Sequence, residues 1–188
     1  NNKKRKGFSF GGNAGRLQRI PLLIQAITEY YKQGGGLEFV FAGGGVFAKE
    51  LTSLSEKFPD KVKYLGQVSA EKAAQLSADF EWALLPIEDE VTKFAFPSKS
   101  STYVFSGALV LAVCDENTSV ASWVKTNRIG ISCKPAIDDL VSCFHKVERN
   151  ELDLSNMDCD REALKNKLDF DSFVTRLQSL VFASCIHQ

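Results

Sequence analysis

The sequence is poor in the residues that most metal and proton-transfer chemistry uses. Among its 188 residues only two are histidines, His145 and His187, and both fall in the last third of the chain. A catalytic site built on histidine is therefore not expected. The five cysteines, Cys114, Cys133, Cys143, Cys159 and Cys185, form no CxxC pair and are odd in number. That usage argues against a zinc site or a disulfide framework and for reduced, mostly buried thiols in a cytoplasmic protein. No apolar run is long enough to span a bilayer. Excess charge of either sign is also lacking: 23 basic and 23 acidic side chains balance, so no global field selects nucleic acid or a membrane surface. The basic start Asn1–Lys6 is followed by one short strand rather than by the apolar core of a signal peptide. The first residue is not methionine, which reads as a piece of a longer protein, whose membrane contact, if any, would be peripheral.

What is present is a regular alternation. Short apolar runs at Gly7–Phe10, Leu37–Ala42, Val62–Leu65, Ala83–Pro86, Leu109–Val113 and Ile129–Ser132 read as strands. Between them lie helical spacings. Leu17, Ile20, Leu23, Ile24 and Ile27 lead to Tyr31 and a stop at Gly34-Gly35-Gly36; a second helix reaches about Lys57 before Pro59; Ser69 caps a third. Further helical patterns cover about Ser98 to Ser106, Ser119–Thr126, Ile137–Arg149, Arg161–Lys167 and Asp171–Phe182, while Ile87–Phe96 and Asn150–Asp158 read as polar, irregular connections. Strands this apolar are covered on both faces. The expected fold is a doubly wound α/β domain, a mostly parallel six-stranded sheet, over residues 1–149. Residues 150–188 form a C-terminal helical segment that packs on it or on a region outside the chain.

In such a sheet, ligands bind beyond the carboxyl ends of the strands. Three of the five loops there carry glycine, so several backbones can approach one ligand closely. Gly11-Gly12-Asn13-Ala14-Gly15-Arg16 suits a phosphate through backbone N–H groups and a guanidinium, and on its own reads equally well as a tight turn with a surface arginine. It is not a dinucleotide fingerprint, because Phe10 stands where glycine is needed and no acid ends the second strand; nor does it close in the Gly-Lys-Ser/Thr of a Walker loop. Gly43-Gly44-Gly45 reads as a turn ahead of a ligand loop. Gly66-Gln67-Val68 offers backbone groups to a base edge or is a plain connection. Glu88-Asp89-Glu90 reads as a solvated run and not as a metal site. Trp82, Trp123 and Tyr103 read as packing residues. Pro97-Ser98-Lys99 opens a helix that ends at Gly107, and free N–H groups, a positive dipole end and a lysine there make half of an anion site.

Together, Gly12-Asn13-Ala14-Gly15-Arg16-Leu17-Gln18 and Pro97-Ser98-Lys99-Ser100-Ser101-Thr102-Tyr103 with Gly107 resemble the motifs of the C-terminal, donor-binding domain of retaining GT-B glycosyltransferases. The group resembled is the glycogen-synthase-like one, and within it the bacterial surface-polysaccharide branch. The resemblance extends from about Phe8 to Pro135, with the strand-to-loop segments in family order. It implies that Arg16 contacts the donor diphosphate, with Gly12, Asn13 and Gly15 forming the loop that lets it approach and Arg19 as a weaker second cation. Gly66 and Val68 would meet the base, and Pro97, Ser98, Lys99 and Thr102 the phosphates and sugar. Arg16 and Lys99 would stabilise the leaving diphosphate in place of a metal. Relatives often carry two glutamates eight apart, the second on the ribose; here Phe94 and Thr102 stand at those places. A threonine cannot give the charged, bidentate grip of a carboxylate, a difference of ~1–3 kcal/mol in binding if nothing compensates.

The function implied is sugar transfer with retention from a nucleotide-diphosphate sugar, a UDP-sugar ahead of a GDP-sugar. The acceptor would be a glycan or lipid-linked species, held by an N-terminal domain outside this chain, with no nucleic acid involved and no cofactor beyond the donor. A nucleotide-sugar epimerase on the same scaffold and a non-catalytic sugar-nucleotide-binding module are the alternatives. A receiver domain fits less well, because glycines stand where it needs acids. The 188-residue chain alone should therefore give no turnover with radiolabelled UDP-sugars and glycan acceptors; sustained transfer by it would overturn the two-domain reading.

Overall fold

The computed structural model describes residues 4–93, 99–155, 157 and 161–168. In chain order its elements are β1 (Arg5–Gly11), a 3-10 turn (Arg16–Gln18), α1 (Ile20–Lys32), β2 (Glu38–Ala42), α2 (Ala48–Lys57), β3 (Val62–Tyr64), α3 (Ala70–Asp79) and β4 (Phe80–Pro86). They continue with α4 (Asp89–Thr92), α5 (Lys99–Ser106), β5 (Leu109–Val113), α6 (Ser119–Thr126), β6 (Gly130–Cys133), α7 (Ile137–Arg149) and α8 (Arg161–Leu168). The six strands form one sheet in the order β3-β2-β1-β4-β5-β6, and every neighbouring pair is parallel. This is the doubly wound architecture that the strand–helix alternation predicts, with the chain reversing its direction of travel between β1 and β4.

Side chains alternate between two apolar layers. Phe8, Phe10, Phe39, Phe41, Trp82, Leu84, Leu111 and Val113 face α1, α2 and α7. Ala83, Leu85, Val110 and Ala112 face α5, α6 and α8, and Val40 and Ala42 meet Leu76 of α3. The layers differ in bulk. On β1 the phenylalanines fill one side, while Gly11 on the other side would bring a Cβ within 3.5 Å of the Ala73 Cβ, so a small residue lets α3 sit close to the sheet. On the bulky side, Phe8 stacks on Phe39 with ring centroids 5.3 Å apart, and Phe144 of α7 meets Phe39 edge-on at 5.0 Å. Each such ring removes enough apolar surface from water to be worth about 2–3 kcal/mol.

The lower edge of this layer is fixed by one hydroxyl. Tyr30, near the end of α1, accepts hydrogen bonds from the Gly36 and Leu37 N–H groups, both at 3.0 Å, and donates to Glu148 of α7 at 2.8 Å. Burial pushes its phenol up in pKa, so it remains a neutral donor. Helix ends follow the local chemistry: Ser69 and Thr118 accept from Lys72 N and Ala121 N, both at 3.2 Å, at the starts of α3 and α6. Asn150 closes α7 in the left-handed region. Past it, Arg161 of α8 donates to the carbonyls of Val104 and Ala108, and Leu164 is buried against α5.

Three sequence expectations are corrected. The fourth strand begins at Phe80 rather than Ala83, directly after α3, because Phe80 pairs with Arg5 of β1 and buries its ring against Val40, Ala42 and Leu76. The sixth is displaced by one residue, to Gly130–Cys133. The connection after β4 is not all loop: Asp89 and Glu90 open the short α4, where acids suit the positive end of the helix, and Thr92 bonds back to the Asp89 carbonyl at 2.7 Å. Phe144→Ala should cost about 3–5 kcal/mol of stability. Tyr30→Phe, which keeps the ring but removes the shared hydroxyl, should cost about 1–3 kcal/mol. Urea unfolding measures both, and an unchanged midpoint for Tyr30→Phe would show that the hydroxyl holds nothing.

Candidate functional site

The loops leaving β1, β2 and β3 are stitched backbone to backbone at the carboxyl edge of the sheet. Gly12 N donates to Ala42 O and Ala14 N to Gly44 O, each at 2.7 Å; Gly43 N donates to Gly66 O at 2.6 Å. Tyr64 adds a hydroxyl bond to Gly43 O at 2.8 Å. Contact this close needs residues without a Cβ. A side chain at Gly43 (φ +127°) would stand 1.9 Å from Gly12 O, and one at Gly45 (φ +146°) 2.4 Å from Ala14 O. Gly43 and Gly45 of the triple-glycine turn are thus packing requirements of the first loop.

The structure brings Gly12, Asn13, Gly15 and Gly66 into one network of loops through these contacts. Ala14 is buried and anchors the first loop, while Asn13 and Arg16 remain exposed above it. Gly15 N is bonded by the Gln18 side chain at 3.3 Å, which fixes the short turn beginning at Arg16. Val68 is half-buried against the layer of Val40, Ala42, Leu76 and Phe80. Lys99 opens α5; Pro97 and Ser98, like Phe94, lie outside the described residues. Thr102 lines a groove of about 430 Å³ between α3 and α5, together with Glu71, Ala74, Gln75, Phe105 and Ser106. Tyr103 is buried, with its hydroxyl donating to Leu84 O at 2.9 Å, in keeping with a packing role.

The arginine that sequence reading treats as a second phosphate contact is engaged within the fold. Arg19 has left-handed backbone (φ +46°) and a mostly buried side chain. Its guanidinium donates to Ile87 O at 2.8 Å and pairs with Glu88 at 3.0 Å and Asp89 at 3.1 Å. Glu88 N in turn donates to Leu17 O at 3.0 Å, and Asp89 accepts from Asp115 N at 2.9 Å. The acidic run is therefore only partly solvated, since Glu88 and Asp89 clamp the β1 loop to the β4 loop across the strand reversal. An arginine beyond the first strand with acids beyond its new neighbour is the available signal. It becomes readable only once β1 and β4 are known to be adjacent.

The same edge exposes large apolar side chains from three loops, Leu17 at 51%, Val46 at 62% and Leu65 at 41%. Among the described residues no group of histidine, cysteine and acidic side chains could hold a metal ion, and no helix is long and apolar enough to cross a membrane.

No family model matches the chain. A probable glycosyltransferase, WbjE of Pseudomonas aeruginosa, is 27% identical over 157 residues, which cover 82% of this chain and 38% of the relative. Solved structures share the fold at lower identity. HepE of Anabaena, determined with UDP, superposes with a TM-score of 0.62 at 17% identity over 96% of this chain and 49% of its own. The pneumococcal O-GlcNAc transferase GtfA, with UDP and GlcNAc, gives 0.62 at 15% identity over 100% and 37%. TarM of S. aureus gives 0.64 at 16% identity over 96% and 36%. These similarities bear out the fold and the resemblance to GT-B glycosyltransferases, and the chain spans about half or less of each of these proteins.

Gly43→Ala should destabilise the domain by about 1–3 kcal/mol, through the clash with Gly12 and the unfavourable φ. Gly44→Ala, where a Cβ would meet nothing within 4 Å, should stay within about 0.5 kcal/mol of the parent. Equal urea midpoints for the two variants would contradict the stitched-loop packing.

Proposed function

We propose that this chain is the nucleotide-sugar-binding half of a retaining glycosyltransferase. The observation that carries the reading is the convergence of the glycine loops after β1, β2 and β3 beneath an exposed Arg16, next to the point where strand order reverses. Backbone N–H groups and a guanidinium offered there suit a diphosphate. α5 begins with Lys99 beyond the fourth strand, so a second cation and a helix start are available from the other side of the reversal. The sequence similarity to WbjE and the presence of UDP in the HepE and GtfA structures favour a UDP-sugar as donor.

In this reading the reaction is driven by electrostatics. Charge accumulates on the diphosphate oxygens as the glycosidic bond to the sugar breaks, and Arg16 with Lys99 and the N–H groups of the loops stabilise it as it forms. The sugar then meets an acceptor, a glycan or lipid-linked molecule of surface-polysaccharide synthesis, held by a region outside this chain. The apolar rim of Leu17, Val46 and Leu65 supports such a covering region, since side chains of this size seldom cluster in open water without a partner. Thr102 gives a second reading its one observation. With no carboxylate at that position, the chain could bind a sugar nucleotide without turning it over.

Calorimetric titration with UDP, GDP and ADP tests the site. UDP should bind best, and Arg16→Ala and Lys99→Ala should each weaken it by roughly 10- to 100-fold, the value of a charged hydrogen bond. Binding of none of the three, or an unchanged affinity in both variants, would overturn the assignment.

A further inference from the structure

On the sheet's far edge, away from the first three loops, Cys114, Cys133 and Cys143 line one open cavity of about 410 Å³ with Lys134, Asp139 and Lys146. The three thiols are not equivalent. Cys114, just beyond β5, is fully buried and accepts the Thr118 hydroxyl at 3.2 Å, and burial pushes its thiol up in pKa. Cys133 ends β6 and is half-buried, while Cys143 sits on the inner flank of α7. The Cys133 thiol donates to Lys134 O at 3.5 Å, and both side chains line the cavity. The neighbouring Cys133, with Lys146 one helical turn along, holds Cys143 below the usual thiol range against the opposing effect of burial. Asp139, one turn earlier, acts in the other direction on Cys133.

We propose that Cys133 and Cys143 form a thiol–disulfide site, oxidised by hydrogen peroxide or a small hydroperoxide and reset by a small dithiol. The geometry that carries this is a pair of thiols on two different elements, β6 and α7, that line one open cavity together. In the first step Cys143 gives up its proton, its sulfur attacks one peroxide oxygen and the O–O bond breaks. Cys143 becomes a sulfenic acid, and the departing hydroxide takes up the proton that Cys143 had released, giving water. In the second step the Cys133 sulfur attacks the Cys143 sulfur and the S–O bond breaks. The hydroxyl leaves as a second water with the Cys133 proton. The peroxide gains two electrons and the two thiols lose them. The bond would join the end of β6 to the middle of α7, whereas Cys114, hydrogen-bonded and fully covered, stays reduced.

The test uses the full chain with Cys159→Ser and Cys185→Ser, so that only the three cavity thiols can react. Equimolar hydrogen peroxide, followed by alkylation and peptide mass mapping, should yield a Cys133–Cys143 cross-link that dithiothreitol reverses. Cys143 should react about tenfold faster than Cys114. Adding Cys133→Ser should abolish the cross-link and leave Cys143 as sulfenic or sulfinic acid, with the far-ultraviolet circular dichroism of the parent confirming the fold. The unsubstituted chain, mapped the same way, keeps the outcome readable if a variant does not fold. Phenylarsine oxide, which bridges adjacent thiols without oxidant, supplies the second measurement. If it bridges the pair and peroxide leaves both reduced, the redox site is wrong; if neither reagent links them, the pairing itself is wrong.

Discussion

The closeness of Gly12 to Gly43 is the constraint on which the carboxyl edge depends. A carbonyl oxygen occupies the place where any other residue would carry its Cβ, and that absence lets two loops share hydrogen bonds that a parallel sheet otherwise leaves unpaired at its ends. From this contact the order of the edge follows. The first loop hangs from Ala42 and Gly44, the second from Gly66, and the third is drawn in by Tyr64. The exposed groups of the first loop, Asn13 and Arg16, are held up by a backbone that has little freedom to move. Pre-organisation of this kind lowers the entropic cost of ordering groups around a ligand.

The sheet beneath was readable from sequence because its signals are local and repeated. Strands such as Leu37–Ala42 are too apolar for one wet face, and Gly34 to Gly36 and Ser69 mark helix boundaries by their own backbone preferences. What could not be read depended on neighbours distant in the chain. Phe80 joins β4 because its ring finds Val40 and Leu76, and nothing between Asp79 and Glu81 announces that. Arg19 looked available because its partners, Glu88 and Asp89, come near only when β4 lies beside β1. The helical spacing does not single out Tyr30, although its hydroxyl organises two backbone amides and a carboxylate. Thr102 illustrates the remaining gap. Its position was fixed by motif spacing, and the structure adds that it borders a groove shared with α3.

The chain is 27% identical to WbjE, a probable glycosyltransferase, and shares its fold with HepE, GtfA and TarM, and it covers only part of each of those proteins. The division of labour within the chain agrees with a half-site. One edge of the sheet carries the loops, the exposed cation and the apolar rim. The opposite edge is closed by Tyr30, Glu148 and Arg161 into a hydrogen-bonded base. A domain built this way presents one functional face and holds the other still.

The clamp across the strand reversal has a further meaning as a charge inventory. Glu88 and Asp89 stand next to the loop proposed to receive a diphosphate, and two bare carboxylates there would repel it through a poorly screened, partly buried path. Arg19 cancels one of those charges and holds both carboxylates on its guanidinium. An arginine engaged within the fold thereby contributes to the local potential of the loop proposed to receive the diphosphate. With Arg19 offsetting one charge of Glu88 and Asp89, and Lys93 paired with Glu90, the acidic run opposes an anion site less than three bare carboxylates would.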